Sequence, residues 1–216
     1  IKEMPKLFST YAEVIKLVNE QYSTYSNLWQ GFTSKLESCQ IIQGLFVTPP
    51  YRAMGSLEEN HIFSPQNYFK LINLEFVRYK PSNVAFIDFD YYASKIGKLD
   101  WFDDSQYFQS KQTISFAALG ESCNATARLM ASYFGRLKKC IVIDLDNTIW
   151  GGVIGDDGLN GINLDVNDPE GEAYLSFQQY LIALKERGVI LAVCSKNDKK
   201  IAQEPFKQHP DMVLKL

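Results

Sequence analysis

Apolar positions along this chain fall into helical spacing, then into short unbroken runs, and the alternation occurs twice. Between Ile1 and Tyr25, Leu7, Tyr11, Val14, Ile15 and Val18 recur with the spacing of one helical face. Cys39 to Val47 is an apolar run closed by Thr48-Pro49-Pro50, which predicts a buried strand followed by a rigid turn. Ser64-Pro65 predicts a second helix start, because Ser suits the N-cap and Pro the first helical position. Its apolar face runs through Phe69, Ile72, Leu74, Phe76 and Tyr79, and Pro81-Ser82 ends it. Asn83 to Asp88 predicts another short strand. Leu99 to Ser115, aromatic and acidic, predicts a loop with short turns in which Trp101 to Phe108 serve as packing residues. Phe116 to Phe134 predicts a third helix.

Gly135 to Lys139 is the expected linker, dividing the chain into domains 1–137 and 138–216, and beyond it the pattern restarts. Lys139 to Asp144 predicts a strand and Asn147 to Asp168 a Gly- and Asp-rich loop. Pro169 to Arg187 predicts a helix, Val189 to Cys194 a strand, Asp198 to Lys207 a helix and Met212 to Leu216 the start of a further strand. Strands alternating with helices imply parallel sheets covered on both faces, so the fold class is α/β, in two units.

Composition narrows the functional classes. A chain of 216 residues, 46% hydrophobic and 22% charged, is globular and long enough for one and a half or two domains. With 22 basic against 25 acidic residues the net charge is -3, which gives no electrostatic reason to expect nucleic acid or an anionic membrane as partner. No run approaches the ~18 apolar residues of a transmembrane helix. Cys39, Cys123, Cys140 and Cys194 form no CxxC pair and lie far in sequence from His61 and His209, so no zinc pattern can be assembled. Four scattered cysteines predict buried free thiols in a reducing, cytoplasmic compartment. Because the first residue is Ile1 rather than Met, the sequence is expected to begin inside a longer one or after disordered residues.

The candidate chemistry lies in the second half. Ile141-Val142-Ile143 is a β-branched run, the pattern of a strand buried on both faces. Asp144 and Asp146, two residues apart, then point to the same side at the carboxyl edge, where open parallel sheets place their ligands. Two such charges are costly together unless a cation neutralises them or one takes a proton. A hard divalent ion with oxygen ligands, magnesium above all, resolves the conflict. Leu191 to Asp198 is a second apolar strand ending in a hydroxyl, Ser195, before a helical element; there a Ser beside backbone amides can grip a phosphate oxygen. The competing role for Ser195 is a helix N-cap, which is compatible with phosphate binding. Cys194 at the rim is either an acyl-carrying thiol or a packing residue of a buried strand. Asp156, Asp157 and Gly158 predict a turn. His61 and His209 read as surface or loop residues, and Glu172 and Gln178 as surface or interface residues of their helix.

Asp144-Leu145-Asp146-Asn147-Thr148 resembles motif I of the haloacid-dehalogenase (HAD) superfamily, and Val193-Cys194-Ser195 resembles motif II. The text from Asp144 to Gly158, with Cys194 to Asp198, Gly171 to Gln178 and Glu204 to Pro210, resembles the FkbH-like branch (subfamily IIIC), covering Lys138 to Leu216 almost continuously. The resemblance implies a truncated Rossmann-like HAD domain with a parallel sheet. In it Asp144 is a nucleophile forming an aspartyl-phosphate and Asp146 the general acid/base, both at a magnesium site. Ser195, Thr148 and Asn197 would bind phosphate, Thr148 would also help fix the nucleophile loop, and Trp150 to Gly161 would close as a flap. The family's later Lys and acidic motif are expected beyond Leu216, so half of a metal site is expected here; Lys196 and Lys199 are candidate substitutes for that Lys.

In the first half, Ile42-Gln43, Thr48 to Arg52, Gly55 and Trp101 to Tyr107 resemble the amino-terminal part of FkbH-like proteins, which is similar to flavodoxin-like SGNH (GDSL-type) hydrolases. An SGNH esterase needs an early Gly-Asp-Ser serine and a late Asp-x-x-His pair. Asp103 to Tyr107 fills the latter region without a nearby histidine, so a non-catalytic partner or substrate domain is expected. As a whole the resemblance implies a protein that takes the glyceryl group of 1,3-bisphosphoglycerate, releases phosphate and loads an acyl-carrier protein's phosphopantetheine thiol. Two alternatives stand beside it. One is a general small-molecule HAD phosphatase of polysaccharide, lipid-linked or secondary-metabolite assembly; the other is a carrier-protein docking module with little activity of its own.

Overall fold

A computed structural model describes residues 3–36 and 38–215. The chain divides into two compact units, Ile1–Gly135 and Arg136–Leu216.

In the first unit, α1 (Tyr11–Lys35) starts at Thr10, whose hydroxyl accepts from the Glu13 N–H while the Glu13 carboxylate takes the Thr10 N–H at 2.7 Å. This reciprocal cap satisfies two of the orphan donors of a helix start. It also corrects the helix expected over Ile1 to Tyr25: Leu7 and Tyr11 are exposed, and the buried stripe runs from Val14 and Val18 on to Trp29. β1 (Ile41–Gly44) pairs in parallel with β2 (Val84–Ile87), Ile41 opposite Val84 and Gly44 opposite Ile87. The ring of Phe89 occupies the space a Cβ at position 44 would need, so the sheet end closes on that ring only because the residue is Gly.

α2 (Pro65–Tyr79) is capped by Ser64 as predicted, but Leu74 and Tyr79 point outward while Tyr68, Ile72 and Phe76 are buried. α3 (Phe89–Ile96), α4 (Lys98–Trp101) and α5 (Asp104–Ser110) follow, and α6 (Phe116–Tyr133) ends the unit. The stretch expected as a loop is therefore partly helical, because Asp103 caps α5 through the Gln106 N–H. The core is an aromatic lattice: Trp29 meets Phe76 at 5.4 Å, and Phe76 stacks on Phe86 at 6.0 Å. The Trp29 indole N–H donates to Gln43 Oε1 at 2.7 Å, which lets so large a side chain be buried without an orphaned donor.

In the second unit, β3 (Cys140–Ile143) pairs in parallel with β4 (Ile190–Val193), Ile143 opposite Val193. Between them come the short α7 (Ile154–Asp157) and α8 (Pro169–Glu186), and α9 (Lys199–Gln208) follows β4. The core is mainly aliphatic, built from Ile143, Leu145, Ile149, Ile162, Leu164, Leu175 and Leu181, with Trp150 packed edge-on to Phe206.

Four expectations fail here, the one on cysteines in both units. β3 is not buried on both faces: Ile143 is buried, but Val142 is 65% exposed, as is Ile190 at 63%. Alternate side chains of a strand point to opposite faces, and no described residue covers the outer one. The cysteines are not buried thiols either; Cys123, Cys140 and Cys194 are exposed and Cys39 half-buried, all unpaired. Residues 212–215 form no strand; Val213 and Leu214 give their N–H groups to the side chain of Gln178 instead. Leu216 lies outside the described residues. Gln178 itself, expected at the surface or an interface, is fully buried. Among the described residues no helix is long and apolar enough to cross a membrane.

Candidate functional site

The end of β3 runs directly into a tight turn. The Leu145 carbonyl accepts from the N–H groups of Thr148 (3.1 Å) and Ile149 (3.0 Å), and the Leu145 side chain is fully buried beneath. Asn147 occupies the left-handed region at φ 52°, which Asn tolerates better than most residues. Its Oδ1 accepts from Gly152 N at 2.9 Å, and Gly152, at φ 91°, has the Asp157 carboxylate where a Cβ would stand. The Asp-x-Asp-Asn segment and the paired glycines are thus two sides of one closed turn.

Asp144 emerges from this turn exposed. Its Oδ1 accepts only the N–H of Leu145, at 2.9 Å, and its second oxygen has no partner among the described residues. Asp146 is held differently. Its Oδ1 accepts from the Trp150 indole (3.1 Å) and from Ile154 N (3.1 Å), and its Oδ2 accepts from Asn197 Nδ2 (2.6 Å). Burial pushes the Asp146 pKa up, but the bonds from Ile154, Asn197 and Trp150, with the charge of Lys196, outweigh it and leave the carboxyl below its ordinary range.

Asn197 joins the two strand ends. Its side-chain amide holds Asp146 while its backbone N–H donates to Ser195 Oγ at 3.1 Å. Ser195 is therefore in a local turn; the N-cap of α9 is Asp198. Ser195 and Asn197 line a cavity of about 310 Å3 with Leu145, Lys199 and Phe206. Lys199 thus faces the cavity beside Ser195, and Lys196 acts on Asp146 by its charge. Thr148 is half-buried and enters the turn through its backbone. Cys194 is exposed, its N–H donating to Ile143 O at 3.0 Å across the sheet. The expected flap is anchored at its base: Gly151 and Asn163 exchange two backbone bonds, Val153 N donates to Asp157 Oδ2 at 2.7 Å, and the tip from Gly155 to Gly158 is exposed. The turn at Asp156, Asp157 and Gly158 is present as α7 and its end.

Sequence reasoning missed Trp150 and the Ile154 N–H as holders of Asp146. The available signal was a Trp four residues after an Asp inside a Gly-rich loop, since a buried indole needs an acceptor.

Among the described residues no three of His, Cys, Asp and Glu gather into a ready metal cluster. The donor chemistry nevertheless suits a hard cation: Asp144 presents an unengaged carboxylate oxygen, and magnesium commonly takes one or two carboxylates and keeps its waters. In the first unit, Asp103 is engaged by Ser105 Oγ (2.7 Å) and the cap of α5, and His61 stacks on Phe63 at 5.0 Å.

No family model matches the chain, and no curated protein sequence does. Among solved structures, the fold is similar to the crystal structure of the N-terminal part of the protein BF1531 from Bacteroides fragilis, which contains a phosphatase domain and is complexed with Mg. The likeness has a TM-score of 0.76 at 29% identity over 95% of this chain and 57% of that one. The chain therefore spans little more than half the length of that structure. What is common to the two is a mixed α/β architecture, here with short parallel sheets.

Proposed function

We propose that this chain carries the nucleophile end of a magnesium-dependent phosphatase site of the HAD type. The observation that carries the reading is the bond from Asn197 to Asp146, which fastens the phosphate-gripping loop after β4 to the carboxylate turn after β3. The likeness to a magnesium-complexed, phosphatase-containing structure supports it. In this reading an Asp144 oxygen attacks phosphorus, the bond to the leaving oxygen breaks, and an aspartyl-phosphate forms. Asp146 gives the leaving oxygen a proton and, once ionised, accepts one from the water that hydrolyses the intermediate. The donors around Asp146 favour its ionised form, which is the form the second half-reaction needs. Ser195 and the Asn197 loop orient the phosphoryl group, Thr148 helps fix the turn, and the Trp150 to Gly161 segment limits water entry. Asp144 and Asp146 frame the place for the ion, with Asp144 offering the free oxygen; when bound, magnesium would neutralise phosphoryl charge.

The finer reading is an FkbH-like glyceryl transferase, acting on 1,3-bisphosphoglycerate in the cytoplasm and delivering to an acyl-carrier protein, with residues 1–137 as a non-catalytic SGNH-like domain. The exposure of Cys194 beside Ser195 favours it, because a thiol that carries an acyl group must be reachable.

The test is phosphate release, by the protein extended past Leu216, from p-nitrophenyl phosphate, acetyl phosphate and 1,3-bisphosphoglycerate, with magnesium and after chelation. The expected result is release that needs magnesium and is abolished in Asp144→Asn. Release indifferent to both, or none from any substrate, would sink the phosphatase reading. Phosphate release with no radiolabelled glyceryl on Cys194 or on added carrier protein would leave the general phosphatase and remove the transferase.

A further inference from the structure

Gln178 has no role in the reading above, yet it is the polar side chain most completely enclosed in the second unit. It lies on the inward stripe of α8 formed by Gly171, Leu175, Gln178 and Leu181, a position at which a helix normally presents an apolar residue to its core. Its exposure is 0%. The amide nevertheless has partners at both ends. Nε2 donates to the Ile149 carbonyl at 2.7 Å, and Oε1 accepts from the N–H groups of Val213 (3.0 Å) and Leu214 (3.1 Å). Few side chains can do this, since the bridge needs a donor and a strong acceptor on one rigid plane.

The Ile149 carbonyl is the next link of the catalytic turn. The Ile149 N–H closes the turn on Leu145 O, and the following residue, Trp150, gives its indole to Asp146. A fixed Ile149–Trp150 peptide therefore fixes the direction of that indole. We infer that Gln178 is a positioning residue for the Asp144–Asp146 turn, holding it from beneath and coupling it to the segment 212–215. The inference rests on the phosphatase reading for its catalytic consequence, not for its structural one.

Two readouts separate these. Gln178→Met keeps the shape and deletes the bridge; Gln178→Asn, which keeps a shorter amide, serves if the Met variant does not fold. Leu181→Ala is the control, a core lesion one turn away that leaves the bridge intact. At a temperature where all are folded, the Gln178 variant should lose roughly 10–100-fold in kcat on p-nitrophenyl phosphate with KM changed less than about threefold. Leu181→Ala should keep kcat. Amide exchange followed by mass spectrometry should accelerate at Thr148 to Ile154 in the Gln178 variant and not in the control. Equal loss of kcat in both, or unchanged exchange across the turn, overturns the role of Gln178. Should the wild type release no phosphate at all, the phosphatase reading falls, and the exchange data alone decide whether Gln178 holds the turn.

Discussion

In the first unit Asp90 meets a cation: Lys98 Nζ lies 2.8 Å from its Oδ1, which also accepts from the Thr48 N–H (2.7 Å) and hydroxyl (2.8 Å). In the second unit Asp146 receives as many donors, but every one of them is a neutral N–H. The contrast extends further. Glu59 pairs with Arg52 and Lys70, and Lys95 with Glu121, whereas among the described residues the second unit has no ion pair. Asp157 and Asp168 there are held by the N–H groups of Val153 and Gly171 and by the Asn163 amide. A cation orients a carboxylate and cancels its charge. Neutral donors orient it and stabilise the anion while leaving the charge in place. In the first unit the charges of Asp90, Glu59 and Glu121 are therefore matched by cations, although Glu13 and Asp103 there are held by neutral donors. The second keeps a directed negative charge at a strand end, which is what a site for a divalent ion and a nucleophilic carboxylate requires.

The strongest way to break that comparison is to neutralise one acid from each unit. Asp144→Asn should reduce phosphate release by at least about 1000-fold, the scale of losing a nucleophile. Because Asp144 is exposed, its stability should change by less than about 0.5 kcal/mol. Asp90→Asn should do the reverse, sparing the rate and weakening the fold. A melting curve and a phosphate assay on both proteins check it; loss of rate in Asp90→Asn would show that the first unit's acids are not closed off from the chemistry.

A smaller effect tests whether neutral donors suffice. Asn197→Ala removes the 2.6 Å bond to Asp146 and frees the loop after β4, and should lower kcat roughly 10–100-fold. Trp150→Phe keeps the ring in its contact with Phe206 and deletes one donor of three, so it should lose less than Asn197→Ala. The opposite ranking would place the hold on Asp146 in the turn itself rather than between the strand ends.

The sequence showed where the candidate site lies, but not this contrast. The strand ends at Asp144 and Ser195 could be read because a β-branched run followed by paired acids, and a second run followed by a hydroxyl, are local patterns. The cap at Ser64 and the flap's turn at Gly158 were legible for the same reason. What could not be read depends on partners distant in sequence. Asn197 reaches back 51 residues to Asp146. Gln178 looks like any polar helix residue until Ile149 and Leu214 are brought to it. The start of α1 was misplaced because Leu7 and Tyr11 fit the helical period, while the capping box at Thr10 decides the boundary. The exposure of Val142 was missed because an apolar run says that a strand is present, not that both of its faces are covered.

The smallest expected effect concerns the first unit alone. Burial raises the Asp90 pKa, but the bonds from Lys98 and Thr48 outweigh it, so the folded carboxyl sits below its ordinary value. A depressed folded pKa stabilises the fold at pH above the unfolded value, about 4 for Asp, and the benefit is lost as pH falls through the folded value. The pair is partly exposed, with side chains 28% and 32% accessible, so solvent screening limits the contribution to about 1 kcal/mol. Asp90→Asn should therefore be less stable than the wild type by that amount at pH 7, with the gap closing below about pH 4. Glu13, Glu59 and Asp103 also have lowered pKa values, but they titrate in both proteins and cancel in the difference. Urea denaturation in a Trp150→Phe background isolates the effect, because the remaining tryptophans, Trp29 and Trp101, are both buried in the first unit. A gap that stays constant with pH would mean that Asp90 acts by packing and hydrogen bonding alone, and the charge contrast between the two units would lose its clearest member.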